Sequence, residues 1–289
     1  MSRIVITGAT AGIGRAAALH FASRGHLVFA TGRNQELLDA LEKEVGDPAR
    51  LRGVRLDVND APSIATAEAA ISDLCRDNDG AIDVLINNAG YGHLGPIAEV
   101  TDAQLRAQFD TNVFGLMSVT RAFLPAMMRR QAGRIVNVGS LAGRVTTPFM
   151  GAYNASKYAV EALSDALRME LEPLGMFVSI IEPGPIKTAF TGTAMGHSDA
   201  QDRSTSVYRA ILADSGKIRG KFDGASAPVD VVTRAIDEAV TSRSPRARYV
   251  VPGYLAPMIF AARNLPTTFI DAIQRKMTGI SAKKLLPPI

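Results

Sequence analysis

Tyr153 and Lys157 stand four residues apart in the run Tyr153-Asn154-Ala155-Ser156-Lys157, so on a helix the phenol and the ammonium share a face. An unperturbed phenol titrates near 10, too high for a good base at neutral pH, and a neighbouring ammonium favours its phenolate. The pair is therefore a candidate proton donor and acceptor. Ser140 follows the apolar run Ile135–Val138, where its hydroxyl could steady an oxygen on which negative charge develops. Asn112 lies within a long helical stretch, residues 102–130. Each has an ordinary explanation when taken singly. Tyr-x-x-x-Lys is common on exposed helices, serine after a strand often caps a helix, and asparagine can satisfy backbone groups at a helix bend.

A second cluster lies near the start of the chain. Thr7-Gly8-Ala9-Thr10-Ala11-Gly12-Ile13-Gly14 joins the β-branched run Ile4–Thr7 to a helical pattern over 13–23. Glycines in such a turn let the backbone approach a pyrophosphate, and the helix N-terminus offers unpaired N–H groups and a positive dipole end. Gly12-Ile13-Gly14-Arg15-Ala16-Ala17 also fits the dinucleotide pattern with Ala as its last member. The next apolar run, Leu27–Thr31, leads into Gly32-Arg33-Asn34. An NAD site usually carries an acid there to bind the ribose 2′-hydroxyl. Arg33 suits a 2′-phosphate instead, by charge and by fork geometry, with Arg15 nearby to assist. This favours NADP(H) over NAD(H).

The elements that must position these residues alternate in type. Strand-length runs at Val54–Leu56, Val84–Ile86, Ile135–Val138 and Phe177–Ile181 are separated by helical stretches at 35–45, 62–78, 102–130 and 152–172. Pro125 predicts a kink or a helix start inside 102–130. Pro183, Gly184 and Pro185 predict the end of the strand that finishes at Ile181. Alternation of this kind predicts an α/β fold: a doubly wound parallel sheet of about seven strands with helices on both faces. One domain accounts for all 289 residues. Within it, residues 185–228 form an irregular lid segment and 252–289 a helical C-terminal extension after a last strand at Tyr249–Val251.

The motifs also occur in a specific order. Asn87-Asn88-Ala89-Gly90 follows the fourth strand, Ser140 the fifth, Tyr153-x-x-x-Lys157 lies on the next helix, and Pro183-Gly184 follows the sixth strand. With Thr7-Gly8-x-x-x-Gly12-x-Gly14, this series resembles the short-chain dehydrogenase/reductase family over about residues 3–190, without departure at any motif position. The chain looks most like the branch with 17-beta-hydroxysteroid and retinol dehydrogenases. The resemblance implies hydride transfer between nicotinamide and a ketone or aldehyde and its alcohol. Tyr153 would be the acid/base, Ser140 would bind the substrate oxygen, and Lys157 would also bind the nicotinamide ribose. Asn112 would hold a water linking Lys157 to solvent. It further implies that Gly8, Thr10, Gly12, Ile13, Gly14, Arg33, Asp57, Val58, Asn87, Asn88, Ala89 and Gly90 contact the cofactor. Pro183, Gly184 and Ile186 would pack near the nicotinamide, with Thr188 a partner of its carboxamide. A homodimer or homotetramer through 102–130 and 152–172 is likewise implied.

Composition narrows the alternatives. There are 32 Lys and Arg against 28 Asp and Glu, and no basic stripe interleaved with aromatics, so a nucleic-acid partner is not expected. The single cysteine, Cys75, reads as a buried thiol on a helix and excludes an internal disulfide or a cysteine-based zinc site. His20, His26, His93 and His197 lack metal-ligand spacing, and no metal is expected. The N-terminus enters a strand without a signal peptide, and no apolar run is long enough to span a membrane. A cytoplasmic protein is expected. The apolar stretch from Tyr249 to Ala262 reads as buried in the fold, with a peripheral membrane contact as the lesser alternative. Tyr91, Leu94, Val145, Phe149, Met150, Ile186 and Phe190 should meet beyond the strand ends and suit an apolar substrate. Rival readings are a non-catalytic NADP(H)-binding regulator on the same fold and a lipid-surface protein using its tail.

Overall fold

The computed structural model describes residues 1–188, 206–213, 224 and 226–285. Its strands are β1 (Arg3–Ile6), β2 (Leu27–Gly32), β3 (Leu51–Arg55), β4 (Val84–Asn87), β5 (Gly133–Val138), β6 (Met176–Pro183) and β7 (Arg248–Val251). Its α-helices are α1 (Gly12–Ser23), α2 (Gln35–Val45), α3 (Ala61–Leu74), α4 (Asp102–Phe109), α5 (Leu116–Arg130), α6 (Gly151–Leu171), α7 (Arg209–Ala213), α8 (Asp230–Thr241), α9 (Ala256–Asn264), α10 (Thr267–Thr278) and α11 (Ala282–Leu285).

The strands form one parallel sheet of seven in the order β3-β2-β1-β4-β5-β6-β7. Strand alternation explains why both faces must be covered. Ile4 and Ile6 of β1 join one core with Val84, Ile86, Phe21, Val232 and Ile236. Val5 joins the other with Leu85, Phe29, Ile71, Phe123 and Leu167. Successive side chains of a strand point to opposite faces, so a strand buried on both reads as a continuous apolar run. The winding reverses between β1 and β4, which lie side by side although β2 and β3 intervene in sequence. Ligands of doubly wound sheets bind outside the carboxyl ends of the strands at such a switch point. Thr7 and Asn88 are the residues immediately beyond β1 and β4.

Several local expectations need correction. β3 occupies Leu51–Arg55 rather than Val54–Leu56, because this edge strand carries Arg52, Gly53 and Arg55 and lacks an apolar pattern. Pro125 does not start a helix; it lies inside α5. Pro125 and Arg121 are both exposed, so water can satisfy the carbonyl that proline leaves unpaired. The interruption of 102–130 is instead a π-helical turn at Asp110–Gly115. β6 continues past Ile181, pairing Glu182 and Pro183 with Val250 and Val251. A proline is tolerated at the last residue of a strand, where one missing donor matters least. Cys75 is buried, but it terminates α3 instead of lying within it, and burial pushes its thiol up to about 11. The irregular segment is closed at its base. Ile186 bridges Ala227, Lys187 N donates to Ala227 O at 2.9 Å, and Ala227 N donates to Pro185 O at 2.9 Å. Most of 185–228, including Phe190 and His197, lies outside the described residues.

Candidate active site

The glycine turn is held by atoms of its neighbours across the switch point. Thr7 Oγ1 accepts from Asn88 N at 2.9 Å and from Ala89 N at 3.0 Å. Asn88 Nδ2 donates back to Thr7 O at 2.9 Å and Gly8 O at 3.1 Å. That close approach explains Gly14: a Cβ there would lie 2.4 Å from both Asn88 Nδ2 and Gly8 O. Gly8 and Gly12 have φ of +64° and +54°, a region that costs other residues strain. No side chain caps α1 and its first turn holds no acidic residue, which leaves the N–H groups of Gly12, Ile13 and Gly14 and the positive dipole end available to a pyrophosphate. Thr10 packs over the end of β2, with its Cγ2 3.0 Å from the position of a Gly32 Cβ. Arg33 follows at once and is exposed. Arg15 is engaged elsewhere, in a salt bridge to Glu44. Asp57 Oδ1 accepts from Asn59 N at 3.0 Å, and Val58 packs against Gly115. Asn87, by contrast, is buried away from the turn, donating to Thr120 Oγ1 and Asn137 Oδ1, each at 2.9 Å. It ties β4 to β5 and α5 and does not line the cleft.

The second cluster converges at the same edge of the sheet. Ser140 sits just beyond β5, hydrogen-bonds the Tyr153 phenol, and accepts from Ala142 N at 3.1 Å as the cap of a short turn. The capping role and the site role are both present. Lys157 Nζ lies 5.8 Å from the centroid of the Tyr153 ring and donates to Val138 O at 2.8 Å. Burial pushes the Tyr153 phenol up to about 12 against the lesser opposing effect of Ser140. It pushes the Lys157 ammonium down to about 8, opposed by the charge of Glu161. The expected phenolate is therefore not stabilised by the chain alone, because desolvation outweighs the Ser140 hydrogen bond that favours it.

Asn112 occupies the π-helical turn and is almost wholly buried. Its Oδ1 accepts from Tyr91 N at 3.0 Å, and its Nδ2 donates to Tyr91 O at 2.9 Å and Ser156 Oγ at 3.1 Å. Both amide hydrogens are thus used, and a water would need the remaining lone pair or the main-chain carbonyl. A Cβ on Gly90 would lie 3.0 Å from Asn112 Oδ1 and 3.9 Å from Lys157 Nζ, so the asparagine and the lysine approach one point. Pro183 ends β6 at this edge and Gly184 and Ile186 follow it, and Thr188 Cβ comes within 3.6 Å of where a Gly12 Cβ would stand. The two clusters that are 140 residues apart in sequence therefore share one cleft.

Other residues near the site were missed. Glu161 continues the Tyr153-Lys157 row by one more turn of α6, and that i, i+4 spacing was a usable signal. Its Oε2 accepts from Arg248 Nε at 3.1 Å; Glu182 Oε1 lies 3.3 Å from that nitrogen and 2.6 Å from Arg144 Nη1. Burial and the charge of Glu182 raise the pKa of Glu161. Arg248 also bridges to Asp165. No sequence pattern joins these residues, which come from α6, β6, β7 and the loop after β5. On the substrate side, Phe149 holds a left-handed φ of 67° and its ring meets Tyr208 edge-on at 5.7 Å. Ser206 Oγ donates to Glu99 Oε1 at 2.8 Å. Such backbone conformations cost roughly 1–3 kcal/mol and cluster at functional sites. His93 is buried behind this region and its N donates to Gln108 Oε1 at 2.7 Å.

Residues 2–198 match the short chain dehydrogenase family. The uncharacterized oxidoreductase YbbO of Escherichia coli is 35% identical over 93% of this chain and 93% of its own. The NADPH-dependent 3-dehydrocapnine reductase of Ornithobacterium rhinotracheale is 34% identical over 94% and 96%. Human 17-beta-hydroxysteroid dehydrogenase type 1 is 31% identical over 96% and 86%. A serine dehydrogenase complexed with NADP+ is 30% identical, covers 86% of this chain and 94% of its own, and superimposes with a TM-score of 0.72. A short chain dehydrogenase/reductase from Burkholderia phymatum in complex with NAD is 26% identical over 90% and 92%, with a TM-score of 0.76. A doubly wound sheet with its glycine turn at the switch point, matched over most of the chain by such relatives, means that this protein belongs to the short chain dehydrogenase family and is an oxidoreductase.

Proposed function

We propose that the protein is an NADP(H)-dependent reductase of ketones or aldehydes, working through Tyr153, Ser140, Lys157 and Asn112. The observation that carries this reading is the meeting of a buried Tyr153-Lys157 pair and a half-buried Ser140 with the uncapped N-terminus of α1 at one edge of the sheet. Bound nicotinamide supplies the hydride. Tyr153, protonated over the neutral range because burial holds its pKa near 12, gives its proton to the substrate oxygen. Ser140 hydrogen-bonds that oxygen as negative charge grows on it. Lys157 in its ammonium form favours the phenolate that Tyr153 becomes. Asn112 holds Tyr91 and Ser156 against the site, and its carbonyl is the group on which a solvent-linked water would sit.

Gly8, Thr10, Gly12, Ile13 and Gly14 would cradle the pyrophosphate, with Asp57 and Val58 at the adenine. Asn88, Ala89, Gly90, Pro183, Gly184, Ile186 and Thr188 would border the remainder of the cofactor. Arg33, exposed where an NAD site would carry an acid, would take the 2′-phosphate. The NADP(H) or NADPH named for several similar proteins supports this choice, although one neighbour holds NAD. Tyr91, Leu94, Val145, Phe149, Met150 and Ile186 would border the mouth and would favour an apolar substrate. Leu105, Phe114, Tyr158 and Met169, exposed on the α4-α6 side, would serve a homodimer contact.

The chain has no tryptophan, so fluorescence of bound NADPH and NADH can be compared directly, followed by a panel of apolar ketones and aldehydes in the same sample. We expect tighter NADPH binding, oxidation by an apolar carbonyl, and a swing towards NADH in Arg33→Asp. An unchanged NADPH/NADH ratio in that variant would remove Arg33 as the phosphate reader. Tight NADPH binding with no turnover on any carbonyl would favour a cofactor-sensing regulator.

A further inference from the structure

The stretch from Tyr249 to Ala262 was expected to be buried, yet only part of it is. Tyr249, Val251 and Ile259 are enclosed, whereas Tyr254 and Phe260 are each 70% exposed. Further on, Phe269, Ile273 and Met277 recur every four residues along α10 and are 54%, 41% and 62% exposed. At 3.6 residues per turn they form one ridge. Leu265, also exposed, lies in the extended link between α9 and α10. Thr278, on the opposite side, is buried, so the helix is seated on the protein and its apolar ridge faces out.

Charge accompanies this surface. Residues 252–289 hold five Lys or Arg and one acid, Asp271, so the formal net charge of +4 for the whole chain resides in this tail and the first 251 residues balance. Arg263, Arg275 and Lys276 are exposed, and none of the three makes a salt bridge among the described residues. Lys276 is adjacent to Met277 beside the ridge, while Asp271 lies on the far side of the helix from it. Arg275, one turn after Asp271, shares the acid's face, so Lys276 is the cation of this helix beside its ridge, and Arg263 lies one turn from Phe260 on the preceding helix. An apolar ridge with such cations and its acid turned away suits the interface of an anionic bilayer.

The placement of the tail gives such a contact a use. β7 pairs with the last residues of β6, and Leu255 Cδ1 lies 2.6 Å from where a Gly184 Cβ would stand, with Leu141 Cδ1 at 3.2 Å. A side chain at 184 would require the Leu255 side chain to shift. The tail thus leaves the sheet at the edge that carries Ser140 and Tyr153, and its last helix, α11, packs on α7 of the lid segment.

We propose that α9 and α10 dock the protein on an anionic lipid bilayer, with Phe260, Leu265, Phe269, Ile273 and Met277 entering the interface and Arg263 and Lys276 meeting its headgroups. The contact turns the cleft edge towards the bilayer, from which an apolar carbonyl compound could enter. It needs no cofactor and no turnover, so it stands or falls separately from the reductase reading.

The test is co-sedimentation of the full-length protein with vesicles of phosphatidylcholine, alone or mixed with phosphatidylglycerol. We expect binding to the mixed vesicles that weakens by roughly tenfold or more in Arg263→Glu/Lys276→Glu. We also expect its loss in Phe269→Ser/Ile273→Ser/Met277→Ser, with an unchanged circular dichroism melt in both variants. Wild-type protein that stays in the supernatant with mixed vesicles overturns the proposal. So does a ridge variant that sediments as well as the wild type. A ridge variant that turns a dimer into a monomer, in a protein without vesicle binding, would assign the face to a second copy of the chain.

Discussion

Around the glycine turn the chain pairs its polar groups with one another: Thr7 Oγ1 takes two backbone N–H groups, and Asn88 Nδ2 returns to the carbonyls of Thr7 and Gly8. Around Tyr153 and Lys157 it buries a phenol and an ammonium and drives both towards their neutral forms, to about 12 and about 8. The first region is finished by the fold and presents a rigid, uncharged surface to a ligand. The second is left with displaced proton affinities, which is how groups that exchange protons during turnover are set apart from groups that only hold shape. One turn further along α6, Glu161 combines the two modes, being tied to Arg248 yet raised by burial and Glu182.

This contrast can be broken most strongly at Tyr153. Tyr153→Phe removes the transferable proton and little volume, and turnover should fall about 10²–10⁴-fold while NADPH fluorescence titrations stay unchanged. A variant retaining most of its turnover would remove Tyr153 as the acid.

At the glycine turn the expected damage is to structure and binding together. Gly14→Ala places a methyl 2.4 Å from Asn88 Nδ2 and Gly8 O. It should cost roughly 1–3 kcal/mol in urea unfolding and weaken NADPH binding. Wild-type stability in this variant would show that the turn can relax and is less rigid than its hydrogen bonds imply.

The smallest effect, and the one that separates electrostatics from packing, belongs to Glu161. With Lys157 lowered to about 8, its ammonium is present below that pH and is lost above it, so carbonyl reduction should decline on the alkaline side of about pH 8. The Glu161 carboxylate opposes that lowering. Glu161→Gln should move the alkaline limb to lower pH by up to about one unit, equivalent to about 1.4 kcal/mol, and Glu161→Asp should restore part of the shift. A uniform drop in turnover with the limb unmoved would mean that Glu161 only fills space.

The docking tail adds a further contrast, since its apolar residues are exposed where the helices that cover the sheet bury theirs. Hydropathy along Tyr249–Ala262 could not distinguish these cases. A short apolar run looks the same whether it is enclosed, as Tyr249 is, or exposed, as Phe260 is.

Much of the protein was legible in local pattern. Strand and helix periods predicted the parallel sheet, the glycine turn predicted a phosphate-binding helix start, and the four-residue step from Tyr153 to Lys157 placed them on one face of α6. These follow from interactions between residues a few positions apart, which spacing alone reports. Tertiary structure decided the rest: that Asn87 ties strands together and Asn112 spends its amide on Tyr91 and Ser156. It decided that Arg15 answers Glu44 and leaves Arg33 exposed, and that Glu161, Glu182, Arg144 and Arg248 meet behind Lys157. Burial and Coulomb interactions depend on groups brought together from tens to hundreds of residues away, so the direction in which a phenol or an ammonium titrates is a property of the packed chain and not of its motif.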